Sequence, residues 1–165
     1  MIIRPEESRD IPEIRTLVTA AFKEAPYSNG TEGVIVDALR DEGALTVSLV
    51  AEHGGQIIGH IAFSPVKIDG EAVDWYGLGP VAVQPERQRQ GIGVRLIEAG
   101  LGQIKELGAA GCVVLGDPGY YSRFGFKVDL SLRFPDAPAE YFQCLDFGHG
   151  ERRGVVVYHS AFYEC

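Results

Sequence analysis

The chain has 165 residues, of which 45% are apolar and 23% charged, a balance typical of a soluble globular protein with one core. Its formal net charge of −8 argues against nucleic acid as the main partner, because binding to phosphates needs a basic surface. The cysteines at positions 112, 144 and 165 lack the spacing of a disulfide framework or a zinc site. No membrane-spanning apolar run or signal peptide is found, so we expect one cytoplasmic domain over residues 1–165, without membrane contact.

The first part of the chain predicts a strand and two helices. A short strand covers Ile2–Arg4, and Asp10 with Glu13 makes a capping-box-like start to a helix that Pro26 ends. A second helix is predicted over 31–40. Its predicted buried residues are Val34, Ile35, Ala38 and Leu39.

Three strands follow, with strong hairpin signals between them. The predicted strands are Leu45–Glu52, Gln56–Val66 and Glu71–Val83. A Gly54-Gly55 pair separates the first two, and an Asp69-Gly70 pair separates the second and third. Both pairs favour two-residue hairpin turns, so this part predicts an antiparallel meander.

A long amphipathic helix comes next, opened by Gly91 and Gly93 and ended by Gly108. Its apolar stripe consists of Ile92, Leu96, Ile97, Leu101, Ile104 and Leu107. Gly100 and Gly102 lie inside the helix, where each costs about 1 kcal/mol relative to alanine. We therefore expect close packing against the sheet at both glycines.

The remaining elements are shorter. The all-apolar segment Cys112–Leu115 predicts a buried strand, parallel to the strand before the long helix. Asp117 is placed to cap a short helix containing Tyr120 and Tyr121, which Gly125 ends. Two last strands are predicted around a turn at 148–154, over Tyr141–Phe147 and Val155–His159.

The segment 79–94 predicts a phosphate site. It runs from an apolar strand through a polar turn into a helix that begins with glycines, and such a helix start offers free N–H groups and positive potential to an anion. A P-loop would need Gly-Lys-Ser/Thr, but this turn ends Gly93-Val94-Arg95. A dinucleotide-binding turn would need a glycine at position 96, which is leucine.

The pattern Gln88-x-x-Gly91-x-Gly93 resembles the pyrophosphate-binding turn of the GCN5-related N-acetyltransferases, the GNAT superfamily. The segment 121–126 is similar to the Tyr-x-x-x-Gly-Phe element of that superfamily. Four further blocks resemble a bacterial branch described only as predicted N-acetyltransferases: residues 48–52, 59–65, 115–121 and 158–162. The resemblance implies the GNAT fold, a mixed α/β architecture. Its central, mostly antiparallel sheet has one splayed parallel strand pair and is flanked by helices.

The resemblance also implies an activity: acetyl-CoA, as co-substrate and without a metal, donates an acetyl group to a primary amine by direct attack in a ternary complex. The acceptor would be a small-molecule or peptide amine. Pairing of C-terminal strands between subunits, common in the superfamily, would allow a homodimer. Two alternatives stay open, a non-catalytic acyl-CoA-binding or regulatory module and a transferase of a longer acyl group.

Most residues of the implied cofactor site lie in the glycine turn. Main-chain N–H groups there would hold the pyrophosphate, from Gln88, Arg89, Gln90, Gly91, Ile92, Gly93 and Val94. Side chains of Arg87, Arg89 and Arg95 would add charge near the 3′-phosphate. Upstream, Val83 would pair with the pantetheine amide, and the Val81 N–H would serve as an oxyanion donor. Pro80, which has no N–H, marks the expected break in regular strand pairing.

The resemblance assigns the general acid but not the general base. Tyr121 would protonate the leaving thiolate, whereas Tyr120 is expected to pack into the core. The superfamily position that often carries a base glutamate is Gly77 here, so Asp74, His60 and Glu32 are the candidates instead. Residues expected to line the acceptor side are Trp75, Tyr76, Tyr27 and Asn29.

Overall fold

A computed structural model describes residues 1–23, 30–148 and 152–163. The strands are β1 (Ile2–Pro5), β2 (Val47–His53), β3 (Gln56–Ile68), β4 (Glu71–Val83), β5 (Gly111–Leu115), β6 (Leu132–Arg133), β7 (Phe142–Asp146) and β8 (Gly154–Val157). The α-helices are α1 (Ile11–Phe22), α2 (Glu32–Asp41), α3 (Ile92–Glu106) and α4 (Pro118–Tyr121). Among the described residues, no helix is long and apolar enough to cross a membrane.

The strands form a twisted sheet in the order β1-β2-β3-β4-β5-β7. Its neighbours are antiparallel except β4 and β5, which run parallel because α3 crosses over between them. This confirms the predicted mostly antiparallel sheet with one parallel pair. Both hairpin turns are also confirmed, since Gly54, Gly55, Asp69 and Gly70 all have positive φ, as the tight turns between twisted strands require.

Helices cover the two faces of the sheet and divide the core. Alternation along β3 sends Ile61 and Phe63 toward α3, where they pack against Leu96 and Ile97. The opposite face near β2 packs against α1 and α2. The buried residues of that cluster are Ile14, Leu17, Val18, Val36, Val50, Ile57 and Ala82.

The predicted C-terminal strands exist but do not pair with each other. β7 pairs with β5, whereas β8 pairs antiparallel with the end of β3 and parallel with β6, a two-residue strand that the sequence analysis missed. The Asp69 carboxylate accepts a hydrogen bond from the Val155 N–H at 2.9 Å, and Val156 is buried in the core. The tight turn after β3 therefore holds β8. Part of the predicted turn, 149–151, lies outside the described residues.

The predicted capping box of α1 is wrong. The Asp10 carboxylate instead accepts hydrogen bonds from Arg4 at 2.8 Å and from the Glu7 N–H at 2.7 Å. Glu13 reaches away from the helix start and accepts from the Ile57 N–H at 2.6 Å. The two carboxylates connect the start of α1 to strands, Asp10 through Arg4 of β1 and Glu13 through Ile57 of β3. Hydrogen bonds to an ionised carboxylate are strong, which explains why both acids are used in this way. The expected helix end at Pro26 lies outside the described residues.

The buried face of α2 was partly misplaced. Val34 is 56% exposed, and Val36 is buried in its place beside Ile35 and Leu39. Ala38 is only partly buried. Val36 packs with α1 and the sheet, whereas Ile35 and Leu39 pack with Ala44 and Ala161. This orientation turns position 34 to the solvent.

Close packing against the sheet was expected at both Gly100 and Gly102, but the two glycines have different surroundings. A Cβ on Gly100 would overlap the Phe63 ring, so the prediction is confirmed there. Gly102 is exposed, and a Cβ on it would meet nothing within 4 Å, so the prediction is wrong there. Two residues along a helix correspond to about 200° of rotation, which moves position 102 away from the sheet.

Candidate active site

The parallel strands β4 and β5 separate in the middle of the sheet. They pair from Trp75 opposite Gly111 to Leu78 opposite Val114, after which only β4 continues along β3. The β3–β4 register shifts by one residue between Leu78 and Val81, in the Gly79-Pro80 segment. The expected break in pairing near Pro80 is therefore confirmed. We call the gap beyond Leu78 and Val114 the β4–β5 fork.

Beyond the break, some backbone groups of β4 face the fork and not β3. The Gln84 N–H donates to the Ile58 carbonyl of β3 at 2.9 Å. The Val83 carbonyl instead faces away from β3 and accepts from the Gln88 side-chain amide at 3.2 Å. Since backbone groups in an antiparallel pair alternate between the two strand edges, the N–H and C=O of Val81 face the fork as well.

A glycine turn leads from this edge into α3. Gly91 has φ of 83° and precedes the first helical residue, Ile92. Among the described residues no side chain caps the helix, and the Arg95 N–H makes its first backbone bond, to the Gly91 carbonyl at 3.1 Å. The N–H groups of Ile92, Gly93 and Val94 precede the first helical bond and so have no partner within the helix. The predicted helix start is thus confirmed, and its geometry suits an anion.

The charged side chains of the turn are accessible. Arg87 is partly exposed, and Arg89 and Arg95 are exposed. Arg89 has φ of 68°, a left-handed conformation that helps turn the chain toward Gly91. Within the described residues none of these three arginines forms an ion pair, so their charges are available to a bound anion.

Two tyrosines of α4 line the same region. The Asp117 side chain accepts from the Gly119 N–H at 2.9 Å and caps α4, as predicted. The Tyr121 ring lies over Gly116, just after β5, where a Cβ would approach its Cε2 to 2.5 Å. Tyr121 therefore sits beside the fork, supported by edge contacts with Tyr120 and Phe126.

Tyr120 is only partly buried, although we expected it in the core. Its hydroxyl is 3.4 Å from the position of a Cβ on Gly93, at the start of α3. The Arg123 guanidinium lies over its ring, 4.6 Å from the centroid. Burial raises the pKa of Tyr120, while the Arg123 charge opposes that shift. Tyr120 does pack against the core on the α3 side, so the expectation is confirmed in part.

His60, a candidate base, is fully buried on the face of the sheet opposite α3. Its Nε2 is 2.8 Å from the Ser48 hydroxyl, which hydrogen-bonds to Glu6. Glu6 in turn holds Arg40 through two bonds, at 2.8 and 2.9 Å. Burial lowers the pKa of His60 to about 4, so the ring is neutral at pH 7 and is a weak base. This arrangement suits a structural role for His60.

The second base candidate is far from the fork along the strand. Asp74 is exposed, has φ of 59° and immediately precedes Trp75, where the β4–β5 ladder begins. Its carbonyl accepts the Ala110 N–H at 2.8 Å. The fork lies at the other end of that ladder. The third candidate, Glu32, is the first residue of α2.

The residues expected to line the acceptor side do not lie together. Trp75 is buried against Gly111 and belongs to the core. Tyr76 is partly buried and packs against the core on the α3 side. Tyr27 and Asn29 lie outside the described residues. Gly77, where a carboxylate was missing, is buried next to the fork and is covered by the ring of Tyr158.

Tyr158 and Ser64 were not assigned a role by the sequence analysis. Both hydroxyls are enclosed, and neither has a hydrogen-bond partner among the described residues. Tyr158 belongs to the block at 158–162 that carries the family resemblance, and that block was the available signal. Ser64 lies within another such block, but an alternating apolar strand gives no reason to single it out.

The comparisons with known proteins agree with this geometry. The family model described as "Acetyltransferase (GNAT) domain" matches residues 45–128. An uncharacterized N-acetyltransferase of Escherichia coli K12, YhbS, is 38% identical over 169 residues, with 98% of both chains covered. The chain therefore belongs to the GNAT family of acetyltransferases.

Two crystal structures are also similar over nearly the full chain. One is a GNAT family acetyltransferase from Brucella melitensis in complex with acetyl-CoA, with 55% identity, a TM-score of 0.88, and 98% and 97% of the two chains covered. The other is YhbS of Escherichia coli in complex with CoA, with 37% identity, a TM-score of 0.88, and 99% and 92% covered. The fold described above is thus the GNAT fold.

Proposed function

We propose that this protein is an acetyl-CoA-dependent N-acetyltransferase that transfers an acetyl group to a primary amine by direct attack in a ternary complex. The observation that carries the proposal is the continuous path from the uncapped start of α3, along the open edge of Val83 and Val81, to Tyr121 at the fork. The solved relatives with acetyl-CoA and CoA support the donor.

The residues along this path fit the parts of acetyl-CoA. N–H groups from Gln88 to Val94 would hold the pyrophosphate, because the dipole of α3 and its free donors favour negative charge there. Arg87, Arg89 and Arg95 would add positive charge for the 3′-phosphate. The Val83 backbone would pair with the pantetheine, after Gln88 releases the Val83 carbonyl.

At the fork, the chain would supply hydrogen bonds and a proton. The amine nitrogen forms a bond to the thioester carbon while the carbon–sulfur bond breaks. The Val81 N–H stabilises the charge on the carbonyl oxygen, an effect worth about 3 kcal/mol in comparable sites. Tyr121 protonates the departing thiolate and regains a proton from water, and the extra proton on nitrogen leaves to water.

Calorimetric titration with acetyl-CoA tests the proposal. The wild type should bind, and a variant carrying Gly91→Glu and Gly93→Glu should not, because two carboxylates would fill the anion site and repel the phosphates. A variant carrying Gly54→Glu in the distant hairpin turn controls for added charge alone. Absence of wild-type binding would overturn the proposal.

A non-catalytic acyl-CoA-binding module is the second candidate, favoured by the lack of a carboxylate at Gly77. Changing Tyr121→Phe separates the two. A catalyst should lose about 100-fold in turnover while its Kd for acetyl-CoA stays within about twofold, because only proton transfer is removed. Steady-state release of the CoA thiol measures the turnover. A wild type that binds acetyl-CoA but never releases thiol in the presence of amines would favour the module.

A further inference from the structure

The hydroxyl of Tyr120 reaches from α4 to the start of α3, close to the end of β4. A Cβ added to Gly93 would lie 3.4 Å from the Tyr120 hydroxyl and 3.8 Å from Cγ2 of Val83. Both distances are ordinary van der Waals contacts, so a ligand atom at that point would touch both residues without overlap. Because glycine has no side chain, the three elements leave this point open beside the first N–H groups of α3.

The Tyr120 hydroxyl is available as a donor at this open point. The residue is only partly buried, and its hydroxyl is neither enclosed nor hydrogen-bonded within the described parts of the chain. Its ring is held by edge contacts with Tyr121 and Phe124, with centroid distances of 5.0 and 5.8 Å. Burial raises the pKa of Tyr120 above its ordinary value, so the phenol keeps its proton at neutral pH. A neutral phenol donates a hydrogen bond to an anion and does not repel it.

Arg123 places a positive charge beside the same ring. Its guanidinium lies over the Tyr120 ring, 4.6 Å from the centroid, and its Nε donates to the Tyr120 carbonyl at 3.1 Å. The side chain is exposed and has no carboxylate partner among the described residues. In a chain with a net charge of −8, the start of α3 therefore has a basic residue from α4 near it, in addition to the three arginines around the glycine turn.

We infer that the Tyr120 hydroxyl donates a hydrogen bond to the pyrophosphate of acetyl-CoA and that Arg123 supplies positive charge to the same group. The inference rests on the proposed function and adds two binding residues outside the glycine turn. An atom at the open point beside Gly93 would also contact Val83, whose backbone would pair with the pantetheine. The phosphate that Tyr120 contacts is therefore the one that carries the pantetheine.

Tyr120 and Tyr121 are neighbours in the chain but have separate tasks. Their rings are almost perpendicular, with an interplanar angle of 89°. The Tyr121 ring lies over Gly116 beside the fork, whereas the Tyr120 hydroxyl lies near Gly93. Tyr121 would protonate the departing thiolate, and Tyr120 would hold the cofactor. Changing Tyr120→Phe should therefore raise the Kd for the cofactor, which Tyr121→Phe leaves unchanged.

Calorimetric titration of Tyr120→Phe and Arg123→Gln with CoA and with 3′-dephospho-CoA tests the inference. Tyr120→Phe keeps the ring and should raise both Kd values about tenfold, because a hydrogen bond to a charged group is lost. Arg123→Gln should raise both about threefold at low salt, and about 0.5 M NaCl should abolish this difference by screening the exposed charge. The two probes differ only in the 3′-phosphate, so equal losses locate the contact at the pyrophosphate.

Two matched variants control for the loss of a hydroxyl and of a charge. Tyr141→Phe removes the hydroxyl of a tyrosine that is 44% exposed, just before β7. Arg133→Gln removes the charge of an exposed arginine in β6. Both should bind CoA with the wild-type Kd. Without ligand, Tyr120→Phe should unfold within about 2 °C of the wild type, since its ring contacts are kept.

The possible results separate the inference from the proposed function. Kd values for Tyr120→Phe within about twofold of the wild type would overturn the inference while the proposed function stands. A Kd that rises for CoA but not for 3′-dephospho-CoA would also overturn it, because the contact would then be with the 3′-phosphate. A wild type that binds neither probe would overturn the proposed function itself.

Discussion

His60 illustrates how a single residue is decided by its surroundings. A histidine on a strand beside a cleft is a reasonable base candidate, yet here it is fully buried and bonded to Ser48. Burial lowers its pKa to about 4. In the unfolded chain the His60 ring takes up a proton near pH 6.5, whereas in the folded protein it does so only near pH 4. As the pH falls from about 6.5 to 4, protonation therefore favours the unfolded state, and the folded protein loses stability.

We predict that His60 makes the protein acid-sensitive. Between pH 7 and 4.5 the free energy of unfolding should fall by about 2 kcal/mol from His60 alone. Burial by itself would raise the pKa of Glu6, but hydrogen bonds from Arg40 and Ser48 outweigh burial and hold that pKa below its ordinary value. Glu6 therefore keeps its contribution to stability until the pH falls below the ordinary pKa range of glutamate. Urea unfolding at several pH values measures the slope. The variant His60→Gln should flatten that slope, and an unchanged slope would contradict the assignment.

At the scale of elements, α3 shows how one helix serves both packing and binding. Its buried stripe packs on the sheet, its uncapped start faces the fork, and Gly100 allows Phe63 of β3 to approach the helix closely. Gly102 is the matched contrast, with the same residue type in the same helix but no neighbour within 4 Å.

The pair Gly100→Ala and Gly102→Ala should have opposite effects. Gly102→Ala should stabilise the protein by about 0.5–1 kcal/mol, because alanine favours a helix and restricts the unfolded chain. Gly100→Ala should destabilise it by about 1–3 kcal/mol, because the new methyl overlaps the Phe63 ring. Chemical denaturation of both variants measures the difference. Similar effects at the two positions would show that the packing at Gly100 is not tight.

At the scale of the whole molecule, charged groups join elements that are distant in the chain. Glu6, just after β1, binds Arg40 of α2 and the Ser48 hydroxyl of β2. The same Ser48 hydroxyl also forms a hydrogen bond with His60 of β3. The Glu6 and Arg40 side chains are each 17% exposed, so water screens their interaction only weakly. This network ties α2 to the edge of the sheet on the face opposite α3.

We predict that Glu6→Gln costs about 2 kcal/mol of stability, because Arg40 loses one of its two carboxylate partners in a mostly buried site and keeps only Asp37. The matched control is Glu7→Gln. Glu7 pairs with Arg9 at 2.7 Å and with Arg4 at 3.7 Å. Because the Glu7 side chain is 55% exposed, the control should cost less than about 0.5 kcal/mol. Urea denaturation at pH 7 compares the two variants. Equal costs would mean that the network contributes no more than surface charges do.

Local patterns were sufficient to predict most of the fold. Hairpin pairs such as Gly54-Gly55, the helical stripe after Gly91 and the cap at Asp117 each depend on neighbours a few residues away, and these predictions are confirmed. The exception is the end of the stripe, because Leu107 lies just after α3 and is 62% exposed. The cofactor turn could be placed for the same reason, since strand, glycine turn and helix start are contiguous. Its role in binding stays a prediction.

Contacts between distant segments required the tertiary structure. The pairing of β8 with β3 instead of β7, the two environments of Gly100 and Gly102, and the burial of His60 all depend on which surfaces meet after folding. The meeting of Ser64, Gly77 and Tyr158 is the clearest case, because these residues are up to 94 positions apart in the chain. Periodicity tells which face of an element is apolar, but only packing decides which neighbour covers it.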